Sequence, residues 1–164
     1  TPALLSLSSF SIQDELCEKA NNAILNVQAF GGSGNFTYTL RPDSVVNTTG
    51  IYTDLAPGSY SIHIIDSLGC SFDTSVQILP LQNPLQLSIN KQDLGCIGKP
   101  DQGWAEVIVT GGTSPYSYQW NTSPIQYSAR ADGLVFGWYI VQVSDANECT
   151  LKDTTFIEPG SCCE

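Results

Sequence analysis

Methionine is absent from the 164 residues, and lysine and arginine together number only six. So few cations cannot be gathered into a phosphate-binding patch, which argues against nucleic acid as a partner. The same shortage disfavours an anionic membrane surface. A single histidine, His63, and the lack of any CxxC pair leave nothing with the ligand spacing of a zinc site. No apolar run approaches the ~20 residues that a membrane-spanning helix needs, so membrane insertion is not expected. Charged residues make up 13% of the chain, about half the usual share. Its surface must therefore be covered by Ser, Thr, Asn, Gln and Gly, as in many extracellular β-proteins. The net charge of −10 favours solubility and repulsion between copies. The sequence starts at Thr1 with no initiator methionine or leader, so the chain is expected to be processed or excised from something larger.

What is present is a repeat. Cys17 and Cys70 lie 53 residues apart, and so do Cys96 and Cys149. An offset of 79 links the two pairs, and also Leu55 to Leu134, Gly58 to Gly137, Tyr60 to Tyr139, Asp66 to Asp145 and Pro80 to Pro159. Between the cysteines the offset becomes 80, matching Gly31-Gly32 with Gly111-Gly112, and Phe36 and Tyr38 with Tyr116 and Tyr118. Internal periodicity of this kind marks copies of one structural unit.

Each copy carries strand patterns and turn signals and no convincing helix. Leu25, Val27 and Ala29 alternate on one face, as do Ala105, Val107 and Val109 in the second copy. A Gly-Gly turn and an aromatic strand follow, then Tyr60-Ser-Ile62-His-Ile64, matched by Tyr139-Ile-Val141-Gln-Val143. Closing strands are expected at 75–78 and 154–157, and first strands before Cys17 and Cys96. Short strands broken by Gly and Pro predict an all-β fold of two tandem Ig-like β-sandwich domains, residues 1–80 and 81–159, followed by a cysteine-containing tail at 160–164. Sandwiches this small often need a staple. Bridges Cys17–Cys70 and Cys96–Cys149 are therefore expected, each worth roughly 4 kcal/mol in the chain-entropy account; the alternative is free buried thiols.

Copy two reads Gly111-Gly112-Thr-Ser-Pro115-Tyr116-Ser-Tyr118-Gln-Trp120, then Gly133-Leu134-Val-Phe-Gly137-Trp-Tyr139 and Asp145-Ala-Asn147-Glu-Cys149. This resembles the SprB-repeat family, modules strung together in large surface adhesins of gliding bacteria. Copy one matches through Gly31-Gly32, Asp54-Leu55-Ala-Pro-Gly58-Ser-Tyr60 and Asp66-Ser-Leu-Gly69-Cys70. Copy one departs with Phe36 and Leu40 in place of Tyr and Trp, and copy two with Glu148 in place of Gly. The resemblance implies an Ig-like sandwich, display on a bacterial cell surface and adhesion. It implies no catalytic residue.

The function expected is therefore non-enzymatic: an extracellular structural or adhesive repeat with no catalytic residues, no metal and no cofactor. Its expected partners are neighbouring copies or repeats of the same protein, with surface polysaccharide as a further candidate. Two alternatives stand beside it. In the first, the apolar segment with Leu4, Leu5 and Leu7 leaves its own module and completes the sheet of a neighbour, giving a filament that Cys162 and Cys163 lock through intermolecular disulfides. In the second, Trp138, which replaces Ser59, contacts glycans. Tyr38, Tyr60, Tyr118 and Tyr139 are assigned to the core, and His63 to an outward strand position. Ser44, Ser67 and Thr154 follow Asp as candidate O-glycosylation sites, and Asn35, Asn47 and Asn121 match the N-glycosylation pattern. Turns with Asp14-Glu15 and with Asp145 and Glu148 are candidate calcium sites, although the more ordinary role of Asp in a turn is to accept backbone N–H bonds.

Overall fold

The computed structural model describes residues 4–95 and 102–160. It divides into two compact units, Thr1–Gln82 and Asn83–Glu164. Among the described residues there is no helix.

Module one contains β1 (Ser6–Gln13), β2 (Ala23–Phe30), β3 (Thr37–Arg41), β4 (Val45–Asn47), β5 (Ile51–Leu55), β6 (Gly58–Ile65) and β7 (Ser71–Ile78). One sheet runs β1-β2-β5 and the other β4-β3-β6-β7, all antiparallel. Strand alternation sends every second side chain inward. Ala23, Leu25 and Val27 from β2 meet Tyr38 and Leu40 from β3 and Tyr60, Ile62 and Ile64 from β6 in one buried core. Ser59 and Ser61 face out, and His63 is half-buried at the next outward position.

Module two repeats the plan with β8 (Gln86–Gln92), β9 (Gly103–Thr110), β10 (Ser117–Trp120), β11 (Arg130–Leu134), β12 (Gly137–Ser144) and β13 (Thr150–Ile157). Its sheets are β11-β9-β8 and β10-β12-β13. Ala105, Val107, Val141, Val143 and Ile157 fill the core around Trp120, which is fully buried. The indole N–H of Trp120 donates to the Ser128 carbonyl at 3.0 Å, as a buried donor must find an acceptor. Leu40 holds the equivalent place in module one and is equally buried. Tyr118 and Tyr139 pack half-buried against this second core, whereas Tyr38 and Tyr60 are buried in the first.

Register gives each module two poles. In module one Ser6 pairs with Phe30 at one pole and Gln13 with Ile24 at the other. The head pole carries the Gly31-Gly32 loop and the Asp66–Cys70 turn. There one Asp66 carboxylate oxygen accepts from Ser33 N–H at 2.9 Å, and the other accepts from Leu68 and Cys70 N–H at 2.9 and 2.8 Å. Module two repeats this clamp: Asp145 accepts from Thr113, Asn147 and Cys149 N–H at 2.9, 2.9 and 3.0 Å. Gly32 is left-handed, with φ of 59°, and a Cβ there would lie 2.7 Å from the Asp66 carboxylate, so loop and clamp fit only around glycine. The tail pole of module one carries the β1–β2 loop with Cys17, and β7 leaves there, with the Leu79 N–H donating to Asp14.

This geometry corrects one expectation. Cys70 is a free, exposed thiol, while Cys17 is disulfide-bonded, so the staple Cys17–Cys70 does not form. The two cysteines sit at opposite poles, separated by the length of eight-residue strands. At roughly 3.3 Å per residue that is more than 20 Å, far beyond the ~7 Å Cα separation a disulfide can span. Cys149 is disulfide-bonded. The remaining calls on cysteine fall on Cys96, Cys162 and Cys163, which lie outside the described residues.

Candidate functional site

Because Tyr139, Val141 and Val143 of β12 point inward, Trp138, Ile140 and Gln142 point out. Pairing sets Phe156 of β13 opposite Trp138 and Lys152 opposite Gln142, while Gln119 of β10 flanks Gln142 on the other side. The outer face of this sheet therefore reads aromatic at one end and amide-rich at the other.

The aromatic end is a cluster of three rings. Phe156 meets Trp138 with centroids 4.9 Å apart and Phe136 edge-on at 5.3 Å. Trp138 remains 68% exposed and Phe136 57%, so the cluster offers ring faces to solvent rather than hiding them. Ile140, 41% exposed, continues the surface into a shallow groove of about 230 Å³ lined by Gln119, Asn121, Ile125, Gln142 and Lys152 and floored by Trp120. Asn121 is fixed there, its side-chain oxygen accepting from Ile140 N–H at 2.7 Å. Chemically this is an apolar platform beside side-chain amides and one ammonium group.

Module one has a groove on the same face, about 370 Å³ and lined by Arg41, Pro42, Ser59, Ser61 and Ser75, but no ring cluster beside it. Ser59, Ser61 and His63 stand where Trp138, Ile140 and Gln142 stand in module two, and Gln77 replaces Phe156. His63 is spoken for by Asp73, at 2.9 Å. Its outward position is the one read from the sequence.

The other predicted sites fall as follows. Leu5 is buried in the core of its own module, Leu7 packs against that core, and Leu4 is 88% exposed. β1 pairs with β2 of the same module. Ser44, Ser67 and Thr154 are exposed, but the Ser67 hydroxyl accepts from Asn35 N–H at 2.9 Å. Asn47 accepts from Thr49 and Gly50 N–H at 3.1 and 2.8 Å, a turn clasp that gives its amide a structural task. The acidic turns are likewise structural: Glu15 accepts from Asn21 N–H at 2.9 Å and Asp14 from Leu79 N–H at 3.0 Å. Among the described residues no three His, Cys, Asp or Glu converge on a metal position.

Among the described residues three groups are perturbed. Burial would raise the Asp66 carboxyl, but hydrogen bonds from the backbone at Cys70, Ser33 and Leu68 and from the Cys70 side chain outweigh it and hold it below the usual carboxylate range. Asp93 is held low by the Glu158 N–H and by Lys91. The Tyr52 phenol is pushed up to about 12, by burial first and by Tyr38 second; its oxygen is buried without a hydrogen-bond partner. None of the three lies on the aromatic face.

Trp138 was visible in the sequence as the replacement for Ser59. Phe136, Phe156 and the row Gln119, Gln142, Lys152 were not. The signal existed, in that these residues occupy outward positions of strands whose inward positions were assigned, but only the register shows that they are neighbours.

A sequence model of the SprB repeat matches residues 88–124. No curated protein matches the chain. The three N-terminal domains of the highly immunogenic outer capsid protein (Hoc) of bacteriophage RB49 superpose with a TM-score of 0.51 at 16% identity, covering 93% of this chain and 58% of that one. A C-terminal fragment of intimin, solved with the intimin-binding domain of its translocated receptor, gives a TM-score of 0.42 at 13% identity over 94% of this chain and 64% of the fragment. The chain thus spans less than two thirds of either structure, and at 16% identity the likeness to the capsid protein concerns the fold alone. The chain is an all-β pair of Ig-like modules, and the second is similar to the SprB repeat over residues 88–124.

Proposed function

We propose that the chain is a non-enzymatic pair of repeats from an extracellular bacterial surface adhesin, in which module two makes contacts and module one serves as spacer. The observation that carries this reading is the ring cluster of Trp138, Phe156 and Phe136, left exposed beside an amide-lined groove. Aromatic side chains with a large exposed face are the usual anchors of binding surfaces. A sugar ring presents an apolar C–H face and a rim of hydroxyls, matching a platform of rings next to Gln119, Gln142 and Lys152. Surface glycan is therefore the ligand class we favour. The SprB-repeat match and the Ig-like fold support the adhesin setting, and the small number of cations disfavours nucleic acid.

A glycan array probed with the full chain tests the ligand class. The reading expects signal on neutral or acidic polysaccharides that Trp138→Ser removes. Signal that survives Trp138→Ser moves binding elsewhere on the molecule, and silence across the array removes the glycan assignment.

A further inference from the structure

The outer face of the sheet β10-β12-β13 carries a cation and no acid. The chain has 16 acidic residues, yet none of the outward positions of these three strands holds Asp or Glu. Asp153, next to Lys152, lies on the other side of β13, opposite the inward-facing Val141, and accepts from the Thr154 N–H at 2.7 Å.

Cations are few in this chain, and most are engaged. Among the described residues Lys19 pairs with Glu18 at 3.2 Å, Lys91 with Asp93 at 2.9 Å and Arg130 with Asp132 at 2.8 Å. Lys152 and Arg41 have no such partner among the described residues. Lys152 lines the groove beside the rings of module two, whereas Arg41 lines the groove of module one, which has no ring cluster. Strand register sets the spacing. Gln119, Gln142 and Lys152 form one cross-strand row, and Trp138 with Phe156 forms another, four residues along β12. At about 3.3 Å per residue, roughly 13 Å separates the rings from the ammonium, which is more than one sugar ring covers.

We propose that this groove takes an acidic polysaccharide of the uronic-acid type. One sugar ring stacks on Trp138, and the carboxylate of a nearby sugar in the same polymer pairs with Lys152. The inference rests on the glycan reading above and names its substrate class. A carboxylate concentrates its charge on two oxygens and suits the compact ammonium of lysine. The side-chain N–H groups of Gln119 and Gln142 supply donors in the same row. The net charge of −10 opposes a polyanion only weakly here. Exposed charges more than about 8 Å apart are largely screened at physiological ionic strength, so the acid-free face dominates the contact.

The test is an array that sets each uronic-acid oligosaccharide beside its methyl ester, with sulfated galactans alongside, probed with the full chain. Esterification should weaken the signal about two- to fivefold, the range of an exposed ion pair. Lys152→Gln should abolish that preference, as should 1 M salt, where the screening length falls to about 3 Å. Lys152→Arg and Arg41→Gln should keep it. Trp138→Ser should lower acid and ester alike, whereas Lys152→Gln should lower only the acid. Equal signal on acid and ester, a preference that survives Lys152→Gln, or one that Arg41→Gln reduces as much, overturns the inference and leaves glycan binding standing. Signal on sulfated galactans alone overturns the carboxylate assignment. Silence on every glycan removes the glycan reading and this inference with it.

Discussion

Along β6 of module one the outward positions are Ser59, Ser61 and His63; along β12 of module two they are Trp138, Ile140 and Gln142. The inward positions barely change: Tyr60, Ile62 and Ile64 become Tyr139, Val141 and Val143. The shared features extend to the Asp clamps and to the tyrosine hydroxyls, which donate to Ala56 at 2.8 Å in one module and to Val135 at 3.0 Å in the other. The fold therefore resides in what the copies share, and the candidate binding face in what they do not. Each residue pair that differs is a place to break or sharpen that comparison.

The largest effect is expected at Trp120, which fills the place of Leu40. Trp120→Ala should cost module two about 3–5 kcal/mol through the cavity it leaves. In thermal unfolding of the full chain the transition of module two should move down while that of module one stays. A common shift of both would show that the modules do not unfold independently.

Next come the clamps. Asp145→Ala strips three backbone N–H groups of their acceptor, and about 2–3 kcal/mol is expected from losing hydrogen bonds to a charged group. Denaturant titration followed by tryptophan fluorescence measures it, since the three tryptophans all lie in module two. The equivalent carboxylate in module one predicts a pH response. Asp66 has a lowered folded pKa, so its contribution is present above the unfolded value of about 4 and is lost as pH falls through the folded one. Asp66→Asn should flatten the acid limb of the stability curve of module one.

Smaller effects are expected where one copy uses glycine and the other does not. Glu148 has φ of 64° where module one has Gly69, and Asp54 has φ of 58° where module two has Gly133. Glu148→Gly and Asp54→Gly should each stabilise their module by roughly 0.5–1 kcal/mol, since only glycine adopts these angles without strain. A melting temperature that falls for either would show that the side chain contributes more than its backbone costs. The smallest effect is at Tyr52. Tyr52→Phe removes a hydroxyl without a partner and should leave stability unchanged or raise it by up to about 1 kcal/mol. It should also remove the alkaline loss of stability expected as pH rises from about 10 towards 12, because the folded state holds the phenol proton more tightly.

Much of the fold was legible in the sequence because strand alternation and repeat spacing are local signals. The inward tyrosines, the Gly-Gly turns and the outward His63 all follow from them. β4 and β5 escaped notice: Val45–Asn47 is too short to show a period, and β5 carries a bulge at Asp54 that breaks the alternation. The Cys17–Cys70 expectation failed for a related reason. Equal spacing shows that two cysteines repeat together, but not which pole each occupies, and pole assignment depends on strand direction. Of the binding face only Trp138 could be read, since the adjacency of Phe156 and Gln119 arises across strands.

The central claim is that the outward residues of module two, and not its fold, create the contact surface. Reciprocal exchange tests it: affinity electrophoresis in a gel containing an array-positive polysaccharide, with the parent chain, Trp138→Ser and Ser59→Trp compared at matched folding. The account predicts that Trp138→Ser weakens retardation at least tenfold in apparent Kd, equivalent to about 1.4 kcal/mol, whereas Ser59→Trp alone restores little, because module one has Gln77 and Pro57 in place of Phe156 and Phe136. Equal retardation of the parent and Trp138→Ser would contradict it.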